Sequence, residues 1–354
     1  MKILLFSRYG RLGASSRLRF FQYLPYLMRA GFECTIQPFF SDAMLSSKYE
    51  FGNYAASEVL KVYLNRIGQM INRNRFDLQL IEKEALPWLP AQFERWLLRG
   101  VPYVLDYDDA LFHNYDLHSS PWVRRFLGKR LDKLMSGSRL VIVGNDYLAK
   151  RARDAGAPWV EVLPTVIDLD RYVSNLTDNR GLDAARIVWI GSPSTAHCLK
   201  LIHKPLLTLG ARHAFKLRVI GARPILPGVD VEYCEWSETT EVSLIQGCDI
   251  GVMPLNDLPW EHGKCGYKLI QYMACGLPVV ASPVGVNTAI VRDGINGYLA
   301  SSEREWAAAL ETLLRNDVLR QRMGSMGRQL VEAEYCVQNA APRLIEWLRL
   351  GGLS

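Results

Sequence analysis

Short apolar runs recur along the first half of the chain, and segments with helical periodicity separate most of them. Buried strands are predicted at 3–6, 78–82, 101–107, 140–144 and 160–164. Their apolar residues are continuous rather than alternating, which favours parallel strands covered on both faces. The first strand runs into the polar, glycine-containing loop RYGRLGASSRLR (8–19) and then into a helix through Phe20, Leu24 and Leu27 that ends at Gly31. This order predicts the opening of a βαβ unit.

A second series of apolar runs follows the polar stretch 165–185, which lacks sustained periodicity and indicates a linker. Strands are predicted at 186–191, 215–221, 229–234, 248–254 and 277–282, and the last segments, 303–332 and 338–350, are predicted to be helical. The pattern therefore predicts an α/β chain with two doubly wound parallel-sheet domains. We place the first domain at 1–170, the second at 171–335, and a C-terminal helix at 336–354 that could cross back to the first domain.

Composition changes this picture little. The chain of 354 residues is long enough for two domains, and its net charge of +6 suits acidic ligands as well as it suits an ordinary soluble protein. Seven scattered cysteines without a C-x-x-C pair favour free thiols in a reducing cytoplasm. The apolar run in MKILLFS is too short for a signal peptide, and no apolar stretch is long enough for a membrane span.

The segment GKCGYKLIQYMACG (263–276) has the composition of an anion site. A helix is predicted to begin near Gly266, where the first amides lack intrahelical acceptors and lie at the positive end of the helix dipole. Lys264 and Lys268 add positive charge, and Gln271 lies near the face of Lys268. The alternative is a surface turn with solvated lysines before an ordinary helix.

Residues 260–299, WEHGKCGYKLIQYMACGLPVVASPVGVNTAIVRDGINGYL, resemble the nucleotide-sugar site of family 4 retaining glycosyltransferases (glycosyl transferases group 1). GASSRLR (13–19) and DYDDALFH (106–113) are similar to N-terminal elements of a subgroup of that family. The resemblance implies a GT-B fold, in which two Rossmann-like domains face each other across a cleft. It implies that the first domain binds the acceptor and the second binds the nucleotide-sugar donor.

The chain departs from that family at two positions. The family usually has two glutamates eight positions apart, for the donor sugar and the ribose hydroxyls, and these positions are Gly263 and Gln271 here. Glutamine can still donate to and accept from a ribose diol. Glu261, two residues before Gly263, is a possible replacement for the missing carboxylate.

The resemblance also suggests roles for individual residues. The family commonly holds the diphosphate with a basic pair after the first strand of the second domain, but GSPSTAHCLK (191–200) has no arginine. We therefore give that electrostatic role to Lys264 and Lys268, with Arg223 in reserve, and we expect no metal and no cofactor. The predicted catalytic residues are Asp109, His113, Lys264 and Lys268. The predicted donor-binding residues are Gly13, Ser15, Arg17, Gly191, Ser192, Arg223, Trp236, Gly263, Cys265, Gly266, Tyr267, Leu269 and Gln271.

Several of these residues have a structural alternative. Asp109 could cap a helix beginning at Ala110, although the resemblance favours acceptor contact or proton transfer for Asp109 and His113. Trp236 could stack on a nucleobase or pack in the core. Residues 121–135, PWVRRFLGKRLDKLM, form a basic amphipathic helix that could lie on anionic lipid or simply face solvent.

The function implied is transfer of a sugar from a nucleotide diphosphate sugar, UDP-linked first and GDP-linked second, to a saccharide or lipid-linked acceptor. Such an enzyme would assemble surface polysaccharide, lipopolysaccharide or glycoconjugate in the bacterial cytoplasm, with possible peripheral contact to the inner face of the membrane. The main alternative is a non-catalytic nucleotide-sugar-binding protein of the same fold. An epimerase or phosphorylase is a further alternative, and no nucleic-acid partner is expected because no basic stripe with exposed aromatic residues is evident.

Overall fold

The computed structural model describes residues 1–173 and 184–352, so that 174–183, in the predicted linker, and 353–354 lie outside the described residues. The chain divides into two compact units. The first comprises Met1–Thr165, Gly263–Cys265 and Val337–Ser354, and the second comprises Val166–His262 and Gly266–Cys336. The C-terminal helix thus belongs to the first unit, and the division at 165/166 lies a few residues before the predicted boundary.

The first unit contains one parallel sheet covered by helices. Its strands are β1 (Lys2–Tyr9), β2 (Glu33–Phe40), β3 (Leu78–Glu82), β4 (Tyr103–Tyr107), β5 (Leu140–Val143) and β6 (Val160–Val162). Its helices are α1 (Ala14–Arg19), α2 (Leu24–Arg29), α3 (Asp42–Phe51), α4 (Ala56–Ile71), α5 (Ala91–Leu98), α6 (His113–Asp116), α7 (Pro121–Leu127), α8 (Arg130–Met135), α9 (Asp146–Asp154) and, at the C-terminus, the last helix of the chain (Val337–Gly352). Short 3₁₀ helices occupy Phe21–Tyr23 and Asn72–Arg75.

The strand order of the first sheet is β2-β1-β3-β4-β5-β6, and every pairing is parallel. After β2 the chain crosses over β1 and forms β3 on the other side of it. Strands β4, β5 and β6 are then added one after another beyond β3. Because such crossovers are right-handed, α4, α5 and the α7–α8 pair cover the same face of the sheet. Helices α1 and α2 belong to the opposite crossover and therefore cover the other face, where α2 contacts the last helix.

The second unit repeats this architecture. Its strands are β7 (Ala185–Ile190), β8 (Phe215–Ile220), β9 (Val231–Cys234), β10 (Ile250–Met253), β11 (Val279–Ala281) and β12 (Gly297–Leu299), in the order β12-β11-β10-β7-β8-β9 with parallel pairing. Its helices are α10 (His203–Gly210), α11 (Glu241–Gln246), α12 (Pro259–His262), α13 (Tyr267–Ala274), α14 (Asn287–Ile290), α15 (Glu303–Leu314) and α16 (Asp317–Glu334), so the last helix of the chain is α17. A 3₁₀ helix spans Pro193–Ile202.

Two buried clusters, one on each face of the second sheet, form the core of this unit. Helix α13 contributes Leu269, Tyr272 and Met273 to this core, and all three side chains are fully buried. The local sequence also fixes helix ends, as at α15, where Ser302 and Glu305 form a reciprocal capping box. The predicted fold of two Rossmann-like domains with parallel sheets is therefore confirmed.

Three local predictions need correction. Strands β2 and β12 were not predicted, because Glu33–Phe40 mixes polar and apolar residues around Pro38 and Gly297–Leu299 is very short. The helix predicted through Phe20 is interrupted there, where the backbone leaves helical geometry. Residues 14–19, predicted as loop, form α1.

Candidate functional site

Glycines line the carboxyl ends of β7 and β8 in the second unit, the edge of a parallel sheet where ligands bind in open α/β folds. Gly191 follows β7 and Gly221 follows β8 with φ of +83°. A Cβ atom on Gly221 would lie 2.7 Å from the carbonyl oxygen of Gly191, so the close approach of the two turns requires glycine at position 221. The result is a sheet edge without side chains at two adjacent turns.

Helix α13 begins, as predicted, directly after Gly266. Gly266 has φ of +66°, and a Cβ atom there would lie 2.3 Å from Ile290 Cδ1, so both conformation and space require glycine. The first intrahelical bonds run from Leu269 and Ile270 to the carbonyl of Gly266. The amides at the start of α13 precede these donors and form the positive end of the helix.

Lys268 lies in the first turn of α13 and is half-buried. Its ammonium sits 4.4 Å from the centroid of the Trp189 ring, a cation–π arrangement. A Cβ atom on Gly191 would lie 2.9 Å from Lys268 Nζ, so the cation stands beside the glycine turn after β7. The structure thus brings together the predicted residues Gly191, Gly266 and Lys268.

Gln271 and Trp236 are held in one hydrogen-bonded network. Gln271 Nε2 donates to the Tyr172 hydroxyl at 2.7 Å, and that hydroxyl donates to Glu241 Oε1 at 3.3 Å. Trp236 Nε1 donates to the other oxygen of Glu241 at 2.8 Å, and Arg171 pairs with the same carboxylate. Burial raises the pKa of Tyr172 well above its ordinary value, so this hydroxyl stays protonated.

Sequence reasoning missed Tyr172 and Glu241, which lie 99 and 30 residues from Gln271 and can be linked to it only by folding. Trp236 also packs against the core cluster as a partly buried residue, so its ring is both fixed and half-exposed. Packing of Trp236 against the core is therefore observed, and stacking of its exposed part on a nucleobase stays a prediction.

The other predicted donor residues of the second unit lie in different environments. Ser192 pairs its hydroxyl with Ser194 at 2.8 Å, and Tyr267 is half-buried at the start of α13. Arg223 is highly exposed and only 3.9 Å from Glu235. Leu269 is a correction: its side chain is fully buried in the core and its amide is used inside the helix, so it has no group to offer a ligand.

A charged cluster occupies the carboxyl ends of β3 and β4 in the first unit. Lys83 Nζ lies 2.9 Å from Asp108 Oδ1 and 2.9 Å from Asp109 Oδ2. The Ser15 hydroxyl donates to the second oxygen of Asp108 at 2.5 Å. Asp109 Oδ1 is buried and has no hydrogen-bond partner among the described residues.

The backbone of Lys83 adopts a strained conformation in this cluster. Its φ is +64°, a left-handed value that is uncommon for a residue with a long side chain. Burial would raise the pKa of Asp108, but the attraction of Lys83 and the hydrogen bonds from Ser15 and Lys83 outweigh it and hold that pKa at about 2. Lys83 was missed from the sequence, although its position directly after a buried strand was a usable signal.

The Asp109 capping alternative is wrong. The helix after β4 begins at His113, not at Ala110, and Phe112 stands at its N-cap. The carboxylate of Asp109 accepts from Lys83 instead. Both ring nitrogens of His113 have protein partners at 2.8 Å, Asp116 and the Tyr147 hydroxyl. His113 would have to break one of these bonds before it could exchange a proton with a substrate.

The segment after β1 needs a second correction, because Ser15 and Arg17 lie in the helix α1 rather than in a loop. Gly13 precedes that helix, and a Cβ atom there would lie 2.3 Å from Tyr9 Cβ, so glycine is required by space. Ser16 bonds Glu82 rather than capping the helix. Arg17 is buried and donates to the carbonyl of Arg11 at 3.3 Å.

Residues 263–265 pack within the first unit, although the sequence places them in the same loop as Gly266. A Cβ atom on Gly263 would lie 2.5 Å from the backbone nitrogen of Ala110, so a glutamate cannot fit where the family has one. Cys265 Sγ donates to the Asp108 carbonyl at 3.0 Å, and Asn145 Nδ2 donates to the Lys264 carbonyl at 3.0 Å. Burial, with a smaller contribution from Asp108, raises the pKa of Cys265 to about 12.

Glu261 lies in α12 of the second unit and is 9% exposed. Its Oε2 atom is buried and has no hydrogen-bond partner among the described residues. A carboxylate oxygen in that situation retains an unused acceptor capacity.

The predicted amphipathic helix 121–135 is in fact two helices, α7 and α8, separated at Gly128. Leu131 and Leu134 are buried as expected, but Arg130 is buried too and pairs with Glu84 and Glu94, so it does not belong to a solvated basic face. Across residues 1–173 and 184–352, no helix has the length and apolar character needed to cross a membrane.

Solved structures with the same architecture define the fold as GT-B. HepE of Anabaena, solved in complex with UDP, superposes with a TM-score of 0.72 at 16% identity over 99% of this chain and 100% of that chain. WaaG, described as a glycosyltransferase involved in lipopolysaccharide biosynthesis, superposes with a TM-score of 0.68 at 14% identity over 98% of this chain and 99% of that chain.

Residues 184–316 match the family model described as Glycosyl transferases group 1, and they lie entirely in the second unit. Phosphatidyl-myo-inositol mannosyltransferase of Mycobacterium leprae is 44% identical over 68 residues, which is 19% of this chain and 18% of that protein. The chain therefore matches less than a fifth of the length of that relative. The family match and the fold together support a GT-B glycosyltransferase.

Proposed function

We propose that this protein is a retaining glycosyltransferase of family 4 type, which moves a sugar from a nucleotide diphosphate sugar to a saccharide or lipid-linked acceptor. The observation that carries the proposal is the grouping of Lys268, the start of α13 and the glycine turn at Gly191 on the carboxyl edge of the second sheet. A cation, helix amides and exposed backbone form a site suited to a diphosphate.

A UDP-linked donor is the first choice and a GDP-linked donor the second. HepE of Anabaena has been solved with UDP and with UDP-glucose, which supports the first choice through the shared fold. Trp236 would supply a partly exposed ring beside the nucleoside, and Gln271, oriented by Tyr172, would contact the ribose. Glu261, with its unused carboxylate oxygen, would contact the donor sugar in place of the residue that Gly263 cannot supply.

The chemistry needs no nucleophile from the protein. As the bond between the anomeric carbon and the diphosphate oxygen breaks, negative charge develops on the leaving group, which Lys268 and the α13 amides would stabilise. The acceptor oxygen forms the new glycosidic bond on the same face, and its proton passes to the leaving phosphate. We give Asp109 the role of accepting a hydrogen bond from the acceptor, through the oxygen that has no partner among the described residues.

We also propose that the reaction uses no metal ion. The aspartates after β4 already share a protein cation, because the ammonium of Lys83 lies 2.9 Å from each carboxylate. A cytoplasmic location, with its reducing conditions, suits the seven cysteines, all of which are free thiols. Assembly of surface polysaccharide, lipopolysaccharide or glycoconjugate is the corresponding biological setting.

Thermal unfolding with UDP, GDP, ADP and CDP tests the donor site. A ligand at about one hundred times its dissociation constant adds roughly 2.7 kcal/mol of stability, which raises the melting temperature measurably. We expect UDP to stabilise the wild type and to stabilise Lys268→Ala much less. Lys216→Ala, an exposed lysine of the same unit, is the control and should respond like the wild type.

Release of UDP from UDP-glucose, with and without saccharide acceptors, separates an enzyme from a binding protein. Stabilisation by UDP without any turnover would favour the non-catalytic alternative. No stabilisation by any of the four diphosphates would contradict the donor site itself.

A further inference from the structure

A chain of hydrogen bonds in the second unit ends on the amide of Gln271. Gln271 Nε2 donates to the Tyr172 hydroxyl at 2.7 Å, and that hydroxyl donates to Glu241 Oε1 at 3.3 Å. The exposed fraction is 3% for Gln271 and 1% for both Tyr172 and Glu241. Buried polar groups depend on partners inside the protein, so these contacts decide how each of the three side chains is turned.

The other end of this chain is a carboxylate that further donors hold in place. Trp236 Nε1 donates to Glu241 Oε2 at 2.8 Å, and Arg171 Nη2 donates to Glu241 Oε1 at 3.1 Å. With Tyr172, three side chains therefore donate to the same carboxylate. An ionised carboxylate can only accept hydrogen bonds, so Glu241 has no proton to give to Tyr172.

The direction of the chain follows from the one proton of the tyrosine hydroxyl. A hydrogen bond to a charged acceptor is roughly twice as strong as one to a neutral acceptor, so the proton goes to Glu241. The Tyr172 oxygen can then only accept from position 271, which must present an N–H group. The nitrogen of the Gln271 amide therefore faces Tyr172, and its carbonyl oxygen, Oε1, is the atom left for a ligand.

Position 271 therefore suits glutamine and does not suit glutamate, the residue that family 4 glycosyltransferases usually have there. A glutamate would place two carboxylates around a single tyrosine proton. Two like charges in a buried site repel each other, and one shared proton does not offset that cost. The departure from the family at Gln271 is thus matched by the presence of Tyr172 and Glu241 beside it.

We propose that Tyr172 and Glu241 are positioning residues that turn Gln271 so that its carbonyl oxygen accepts a hydrogen bond from a ribose hydroxyl of the nucleotide. This role rests on the nucleotide-sugar function proposed above. The acceptor is uncharged, yet it discriminates, because a nucleotide that lacks the hydroxyl leaves a nearly buried oxygen without a partner. Glu241 acts through Tyr172 and does not itself contact the ribose.

Calorimetric titration of the full chain with UDP and with 2′,3′-dideoxy-UDP, which lacks both ribose hydroxyls, tests this role. The wild type should bind UDP about tenfold more tightly than the dideoxy compound. Tyr172→Phe lets the amide turn, so its affinity for UDP should fall to within about threefold of its affinity for the dideoxy compound. Affinity for the dideoxy compound should be the same in Tyr172→Phe and in the wild type, whereas general damage to the site would lower both affinities.

Exchanging the amide and the carboxylate tests the direction of the chain. Gln271→Glu should weaken UDP binding about tenfold, because the new charge faces that of Glu241 across one hydroxyl. Adding Glu241→Gln reverses the chain, since the amide at 241 donates to Tyr172 and Tyr172 donates to the carboxylate at 271. The double variant should therefore bind UDP within about threefold of the wild type. Arg171 keeps a partner in it, the Glu238 carboxylate at 3.5 Å.

The matched control adds Glu311→Gln to Gln271→Glu. Glu311 of α15 pairs with His213 at 3.0 Å, so this change removes a negative charge elsewhere in the second unit and should restore nothing. Tyr172→Phe introduces no charge and decides the question if Gln271→Glu does not fold.

The outcomes separate this role from the donor site on which it rests. Equal binding of UDP and the dideoxy compound by the wild type would overturn the role of Gln271 and leave the donor site standing. A double exchange variant that binds UDP no better than Gln271→Glu would overturn the role of Glu241. Absence of UDP binding by the wild type would overturn the donor site and this role together.

Discussion

Replacing Lys83 is the most direct test of how the charged cluster stabilises the first unit. Lys83 is almost fully buried and contacts two carboxylates at 2.9 Å. Lys83→Met keeps the length of the side chain and the strained backbone of the site but removes the charge. Asp108 and Asp109 are then left side by side without a counter-ion. Breaking a buried pair in this way costs about 3 kcal/mol or somewhat more.

A loss of about 3 kcal/mol lowers the melting temperature of a unit of this size by about 6 to 12 °C. The matched control is Lys150→Met, because Lys150 pairs with Asp154 at 2.6 Å on the surface, where both side chains are more than half exposed. An exposed pair contributes less than about 1 kcal/mol, so this variant should melt within about 3 °C of the wild type. Differential scanning calorimetry measures both changes.

The pH dependence separates a lost charge from a lost packing contact. The pKa of Asp108 in the folded protein, about 2, lies below its ordinary value of 3.8, so its contribution to stability is present above pH 4 and lost as the pH falls towards 2. Without Lys83 the effect of burial dominates, and the variant gains stability relative to the wild type as its carboxyls become protonated. The deficit of Lys83→Met should therefore shrink between pH 7 and pH 4. A deficit that equals that of Lys150→Met, or one that is the same at both pH values, would refute this reasoning.

Three further predictions follow from contacts within single units. Gly263→Ala should lower the melting temperature by several degrees because a Cβ atom has no room there, whereas Gly210→Ala, where space is open, should not. Tyr172→Phe should cost about 1 to 3 kcal/mol in urea unfolding, because it leaves the amide of Gln271 buried without its acceptor; an unchanged midpoint would show that this bond is not needed. Cys265, with its pKa raised to about 12, should resist a thiol reagent at pH 8 in the folded protein and react once unfolded, as mass mapping of the labelled peptides would reveal.

Much of the fold could be predicted from the sequence because its signals are local. Continuous apolar runs such as Leu140–Val143 and Ile250–Met253 form strands that are buried along their whole length. Strand β2 escaped prediction because it is an edge strand, where polar residues and Pro38 are tolerated. The interruption at Phe20 likewise depends on packing that apolar periodicity does not report.

The candidate site could be predicted only in part, because only some of its features depend on residues that are close together in the sequence. Gly266 and the start of α13 form a contiguous motif, so glycine, lysine and apolar periodicity together indicated the helix end. The Lys83–Asp108 and Tyr172–Gln271 contacts join positions that are far apart along the chain, and no local pattern specifies such pairs. The sequence also gave no sign that Gly263 packs within a different unit from Gly266.

The first unit is built from both ends of the chain, and this has a consequence for biosynthesis. Helix α17 completes the first unit, where Arg349 donates to the Ala30 carbonyl and Trp347 and Leu348 are buried. At about 5 to 20 residues per second, a ribosome needs roughly 10 to 40 seconds after Thr165 to deliver that helix. During this interval, while the second unit is being translated, the nascent first unit exposes the apolar surface that α17 later covers. Expression of residues 1–165 alone would leave that surface permanently uncovered, and useful fragments of this protein must carry α17 as well.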